Sequence, residues 1–108
     1  MKTSLLTIAL LVILPLSLRA ADASANWNSN CMQCHGKTGK ADTKMGIKVG
    51  AKDLTDPKVQ ASFTDEKAAK SIKEGMKEGG KTVMKAFGDK LSDAEIKALV
   101  AYVRTLKK

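Results

Sequence analysis

At 108 residues, a formal net charge of +8 and only four aromatic side chains, the chain is long enough for one small domain and poor in the large rings that fill a core. Its cations are nearly all lysines spread along the sequence, with no dense basic arm and little to stack on bases, which argues against nucleic acid as a partner. There is no internal repeat, low-complexity block or linker, so a single compact unit is expected.

The chain opens with Lys2, an apolar run over Leu5–Leu18, and small residues at Ala20, Ala21, Ala23 and Ala25. This is the pattern of a secretory signal peptide, and the run is shorter than the roughly 20 residues of a membrane span. We expect residues 1–20 to be removed, with the cut anywhere up to residue 25, and 21–108 to form the mature domain. Loss of Lys2 and Arg19 takes the net charge from +8 to +6. Export places the domain in the periplasm, with no transmembrane segment in the mature chain.

Ala23, Trp27, Cys31 and Cys34 share one helical face, so a helix is predicted from about Asp22 to Cys34, ended by Gly36. It carries Cys31-Met32-Gln33-Cys34-His35, a C-x-x-C-H motif that holds both cysteines and the only histidine. This is the attachment pattern of a c-type haem. Two thiols a helical turn apart can each form a thioether to one porphyrin, and the adjoining imidazole is carried beneath the ring to the iron. A disulfide of this spacing would close a tiny loop and staple almost nothing. A thioredoxin-like site expects a βαβ pattern, and a structural zinc site needs four ligands.

A loop with breakers Gly39, Gly46 and Gly50 is predicted over 37–54, its apolar residues Met45, Ile47, Val49 and Leu54 packing on one side of the ring. Asp56-Pro57 starts a short helix reaching about Ser62. Thr64 caps the next, with Asp65 and Glu66 at its positive end and Ala68, Ala69, Ile72 and Met76 at helical spacing. Gly75, Gly79 and Gly80 stop it, and a second loop runs from Lys81 to Lys90. The last helix has a capping box, Ser92 with Glu95, a staple of Leu91 and Ile96, and a stripe of Ile96, Leu99, Val100 and Val103. No run reads as a strand. With so few aromatic residues, a porphyrin would complete the core, and the haem-free form should pack poorly.

The ligand opposite His35 decides the chemistry. An open iron would favour gas binding or peroxidase-like catalysis, whereas a methionine closes it, raises the potential and favours electron transfer. Met84, in the loop before the last helix with Val83 and Phe87 beside it, is the best-placed sulfur; Met45 and Met76 are the alternatives.

The chain resembles the small bacterial class I cytochromes c. The resemblance covers nearly all of the mature sequence and rests on CMQCH at 31–35, on Met84-Lys85-Ala86-Phe87-Gly88, and on the following LSDAEIKALVAYVRTL. It implies an all-α fold of four or so helices around one covalently attached haem c, with Cys31 and Cys34 as covalent links and His35 and Met84 on the iron. It also implies that the first and last helices cross near right angles, Ala23 and Trp27 meeting Leu99 and Tyr102. Lys85 stands where many members have proline. There is no proline between His35 and Asp56 to supply the carbonyl that commonly accepts the proximal imidazole proton, so another backbone carbonyl is expected to do so. The expected function is that of a soluble, monomeric one-electron carrier, not an enzyme, working in a respiratory or photosynthetic chain. Its lysines would meet redox partners with acidic docking surfaces. The rivals are a haem protein with a labile distal site, acting as peroxidase-like enzyme or gas sensor, and a haem relay subunit of a membrane complex.

Overall fold

A computed structural model describes residues 8–12 and 22–108. Residues 8–12 have no regular structure and expose Ile8, Leu10, Leu11 and Val12; the rest of the predicted signal segment lies outside the described residues. Among the described residues no helix is long and apolar enough to cross a membrane.

Five helices and one hairpin follow in order. Helix α1 spans 22–35 and widens to a π turn over Trp27–Cys31 before its last turn, Met32–His35. Helix α2, Lys44–Val49, starts at Thr43, whose hydroxyl accepts the Gly46 N–H, and ends at Gly50 in the left-handed conformation. Helix α3, Pro57–Ala61, has Asp56 as its cap and proline at its first position. Helix α4, Asp65–Glu74, is capped by Thr64 and carries Asp65 and Glu66 in its first turn. Strands β1, Met76–Glu78, and β2, Lys81–Met84, form an antiparallel ribbon. Helix α5, Asp93–Thr105, begins in the expected Ser92–Glu95 capping box.

Two stretches differ from expectation. The segment 37–54 is not all loop: α2 forms within it despite Gly46, because Thr43 caps its first turn. The region 76–84 is a hairpin, so α4 stops at Glu74, Met76 lies on a strand, and the fold is not purely α-helical. Gly79 and Gly80 both have positive φ and make the two-residue turn that matches strand twist. The strands are short and mostly exposed, with Lys77, Glu78 and Lys81 among seven residues, so they carry no alternating apolar signal.

The core joins both ends of the chain. Trp27 of α1 and Leu99 of α5 are each only 1% exposed, and Ala23, one turn before Trp27, is buried as well. The Trp27 and Tyr102 rings lie 5.5 Å apart, centroid to centroid, and Asn26 Nδ2 donates to Glu95 Oε2 at 3.1 Å. The contact between first and last helices implied by the resemblance is therefore present. Cys31, Leu54, Ile72, Phe87, Leu91, Ile96, Val100 and Val103 complete the buried cluster.

A polar hub braces the far end of α5. Gln60, 4% exposed, donates from Nε2 to the carbonyls of Leu54 and Val103 at 2.6 and 2.9 Å. Arg104 donates to the Gln60 backbone carbonyl and side-chain oxygen, to the Phe63 carbonyl, and to Asp65 Oδ1, while its guanidinium lies 4.4 Å from the centre of the Phe63 ring. This ties α3, α4 and α5 together.

Candidate functional site

The π turn sets the direction of the motif. Met32 N–H bonds to the Trp27 carbonyl five residues back, adding one residue to that turn. Side chains beyond it are rotated by about 100° relative to an unbroken α-helix. Cys31 stays in the core beside Trp27, while Cys34 and His35 are half-buried on the next turn.

Hydrogen bonds hold the turn's carbonyls. Gly36 N–H donates to Met32 O at 2.9 Å, Thr43 Oγ1 to Cys34 O at 2.8 Å, Ala41 N–H to His35 O at 2.9 Å, and Trp27 Nε1 to Gly36 O at 3.1 Å. Ala41 is buried with φ at +56°, a left-handed conformation that costs an alanine about 1–2 kcal/mol. This strain sits in the loop that closes back onto His35. Gly46 packs so near the motif that a Cβ there would overlap the Cys34 carbonyl oxygen.

Cys31 and Cys34 are not joined in a disulfide. Burial, followed by the neighbouring Cys34, pushes the Cys31 thiol up to about 11, so it is a protonated thiol at neutral pH. Burial lowers the His35 pKa and favours the neutral imidazole, the form that binds a metal. Its ring centroid is 5.6 Å from that of Trp27. His35 Nδ1 is buried and has no hydrogen-bond partner among the described residues. The backbone carbonyl expected to accept from it is therefore not in place; the carbonyls of Cys34, His35 and Gly36 each take a different donor.

Met84 ends β2. It is partly buried and packs against the cluster that contains Cys31 and Phe87, so the chain brings this sulfur and the motif to one apolar core. The residues after it are fastened to the end of α4: Phe87 N–H bonds to Ile72 O at 2.8 Å, and Gly88 N–H to Lys73 O at 3.1 Å. Before it, the ladder pairs Met76 with Met84 but Lys77 with Thr82, leaving Val83 as an extra residue on β2. Such a bulge re-aims the side chain that follows it. Of the alternatives, Met45 on α2 and Met76 on β1 are both exposed, as is Met32 within the motif.

Two free thiols one turn apart, a neutral imidazole with an orphaned ring nitrogen, and a thioether on the same core suit a covalently held haem. Thr43 and Ala41, which shape this site, were not singled out from the sequence, and Gly46 was read there only as a breaker. Thr43 alone left a readable trace, as a capping residue before Lys44.

Comparison with known proteins settles the family. Residues 19–103 match the family described as cytochrome C oxidase, cbb3-type, subunit III. The chain belongs to this family. Among curated relatives, the cbb3-type cytochrome c oxidase subunit CcoP of Azospirillum brasilense is 31% identical over 100 residues, covering 87% of this chain and 32% of that protein. Subunit FixP of Azorhizobium caulinodans is 38% identical over 78 residues, covering 72% of this chain and 24% of that protein. The chain thus spans about a quarter to a third of the length of these relatives. Among solved structures, the KustC0563 c-type cytochrome is similar with a TM-score of 0.72 and 37% identity, over 81% of this chain and 99% of that one. The protein is a small class I monohaem cytochrome c, with covalently bound haem c as its cofactor.

Proposed function

We propose that this domain is a periplasmic one-electron carrier, with Cys31 and Cys34 as the thioether links and His35 and Met84 as the axial ligands. The observation that carries the reading is the packing of Met84 against the same buried cluster that holds Cys31. Bound there, the haem supplies the ferric–ferrous couple. The chain's own residues do the rest. Thr43, Ala41 and Trp27 hold the carbonyls around His35, which fixes the imidazole's direction. Phe87 and the anchored 87–88 segment keep Met84 over the core and exclude water from it. Two strong ligands would change little between oxidation states, which would keep reorganisation small and suit transfer rather than catalysis. Exposed lysines favour brief, salt-sensitive encounters with acidic redox partners.

Residues 1–20 act in this reading as the export signal, and mass measurement of the periplasmic protein locates the cut. Membership of the cbb3 subunit III family favours one second reading, a relay that stays with a membrane oxidase. The visible spectrum and solubility test both. A long-wavelength sulfur-to-iron band in the ferric protein, together with a fall in reduction potential in Met84→Ala, supports the ligand set. An unchanged potential in that variant refutes the Met84 assignment. Co-purification with an oxidase in detergent selects the relay; release with the periplasmic fraction selects the free carrier.

A further inference from the structure

Met76 and Met84 are Cα partners across the hairpin, and partners in an antiparallel pair project to the same side of the ribbon. This pairing exists only because of the bulge at Val83. Without the extra residue, continuing the Lys77–Thr82 register would set residue 83, not Met84, opposite Met76. Gly75 then clamps the arrangement. With φ at +77°, its backbone approaches so closely that a Cβ would lie 2.6 Å from the Met84 carbonyl oxygen. Two flexible thioethers therefore stand side by side, with Cβ atoms about 5 Å apart. One is packed on the core, and the other is 44% exposed and has no place in it. Lys85, exposed and following Met84, does not hold that residue extended as a proline would.

We infer that Met76 is a second thioether ligand for the iron, able to replace Met84 when Met84 is lost or displaced. This rests on the reading of Met84 as the resident ligand. In the exchange one iron–sulfur bond breaks and another forms. Charge and oxidation state do not change, and no co-reactant is needed.

The test compares ferric holoprotein of the wild type, Met76→Leu, Met84→Ala and the double variant, by the sulfur-to-iron band and by titration with imidazole. The expected result is a band in the wild type, in Met76→Leu and in Met84→Ala, and none in the double variant. Where Met76 occupies the iron in nine molecules of ten, Met84→Ala binds imidazole about tenfold more weakly than the double variant. If Met84→Ala does not accumulate, Met84→Leu, which conserves volume, is read in the same way. Loss of the band in the Met84 single variant overturns the second ligand and leaves Met84 as the first. A band that survives in the double variant assigns the sulfur elsewhere and overturns the inference. A band lost in Met76→Leu but kept in Met84→Ala reverses the two roles and overturns both readings. A wild type with no band removes sulfur ligation altogether.

Discussion

Gly46 of α2 lies against Cys34 of the attachment turn with no room between them for a single methyl group. The same contact is closed from the side by Thr43, whose hydroxyl donates to the Cys34 carbonyl and accepts the Gly46 N–H. A glycine inside a helix is unfavourable by about 1 kcal/mol relative to alanine. Here the close approach reverses that preference. Gly46→Ala should destabilise the holoprotein by about 1–3 kcal/mol, the usual range for forced overpacking. A guanidinium unfolding curve checks this. A midpoint equal to or above that of the wild type would show that α2 can move away freely.

Arg104 is the second fixed point. Its fork meets two oxygens of Gln60, the Phe63 carbonyl and Asp65, and its plane faces the Phe63 ring. A lysine carries the charge but neither the fork nor the flat face. Arg104→Lys should therefore cost about 1–3 kcal/mol, because buried acceptors near Gln60 lose their donors. The haem spectrum should be unchanged, since the hub is not part of the attachment turn. Denaturation followed by far-UV circular dichroism measures the first effect, and the visible spectrum the second.

Much of this architecture was legible because its signals are local. The Ser92–Glu95 box, the Asp56-Pro57 start and Thr64 before two acids all cap helices through neighbours in the chain, and all three helices begin where those residues predict. The C-x-x-C-H spacing is likewise complete within five residues. The parts that escaped depend on distant partners. Gly46 looks like a helix breaker until Cys34 is placed against it. Gln60 looks like a surface residue until Leu54, Val103 and Arg104 surround its side chain. The hairpin hides in lysine-rich residues whose alternation is too short to show, and its bulge is a matter of register that composition does not encode. Arg104 carries no local sign in the sequence that it braces three helices.

Acid should loosen the protein through two carboxylates. Hydrogen bonds from the Ser92 backbone, the Asn26 amide and the Ser92 hydroxyl hold the Glu95 pKa below its ordinary value. Bonds from Thr55, side chain first and backbone second, do the same for Asp53. Both groups have lower pKa values folded than unfolded, so their stabilisation is fully present above the unfolded values. It is lost as pH falls through the folded ones. Stability should be level above about pH 5 and fall below about pH 4, where ordinary carboxylates begin to take up protons. Glu95→Gln keeps an amide at the cap but cannot titrate, so its urea midpoint should depend less steeply on pH in that window. An unchanged slope would remove Glu95 from the acid response.

Removing both attachment thiols tests the largest claim about the core. Cys31 sits among Trp27, Leu54 and Phe87, and the four aromatic residues of the whole chain give that cluster little bulk. A domain this small buries a modest fraction of its surface, so a covalently held porphyrin is a large share of its apolar interior. Cys31→Ser with Cys34→Ser also sets a hydroxyl into the core at residue 31, at a cost of about 1–3 kcal/mol if it finds no partner. The double variant should yield little folded protein in a host with a working cytochrome maturation system, and what remains should be partly helical and protease-sensitive. Circular dichroism and limited proteolysis measure this directly. A colourless variant with wild-type helicity and a cooperative unfolding transition would mean that the polypeptide packs its own core, and that the haem is an addition to a fold already complete.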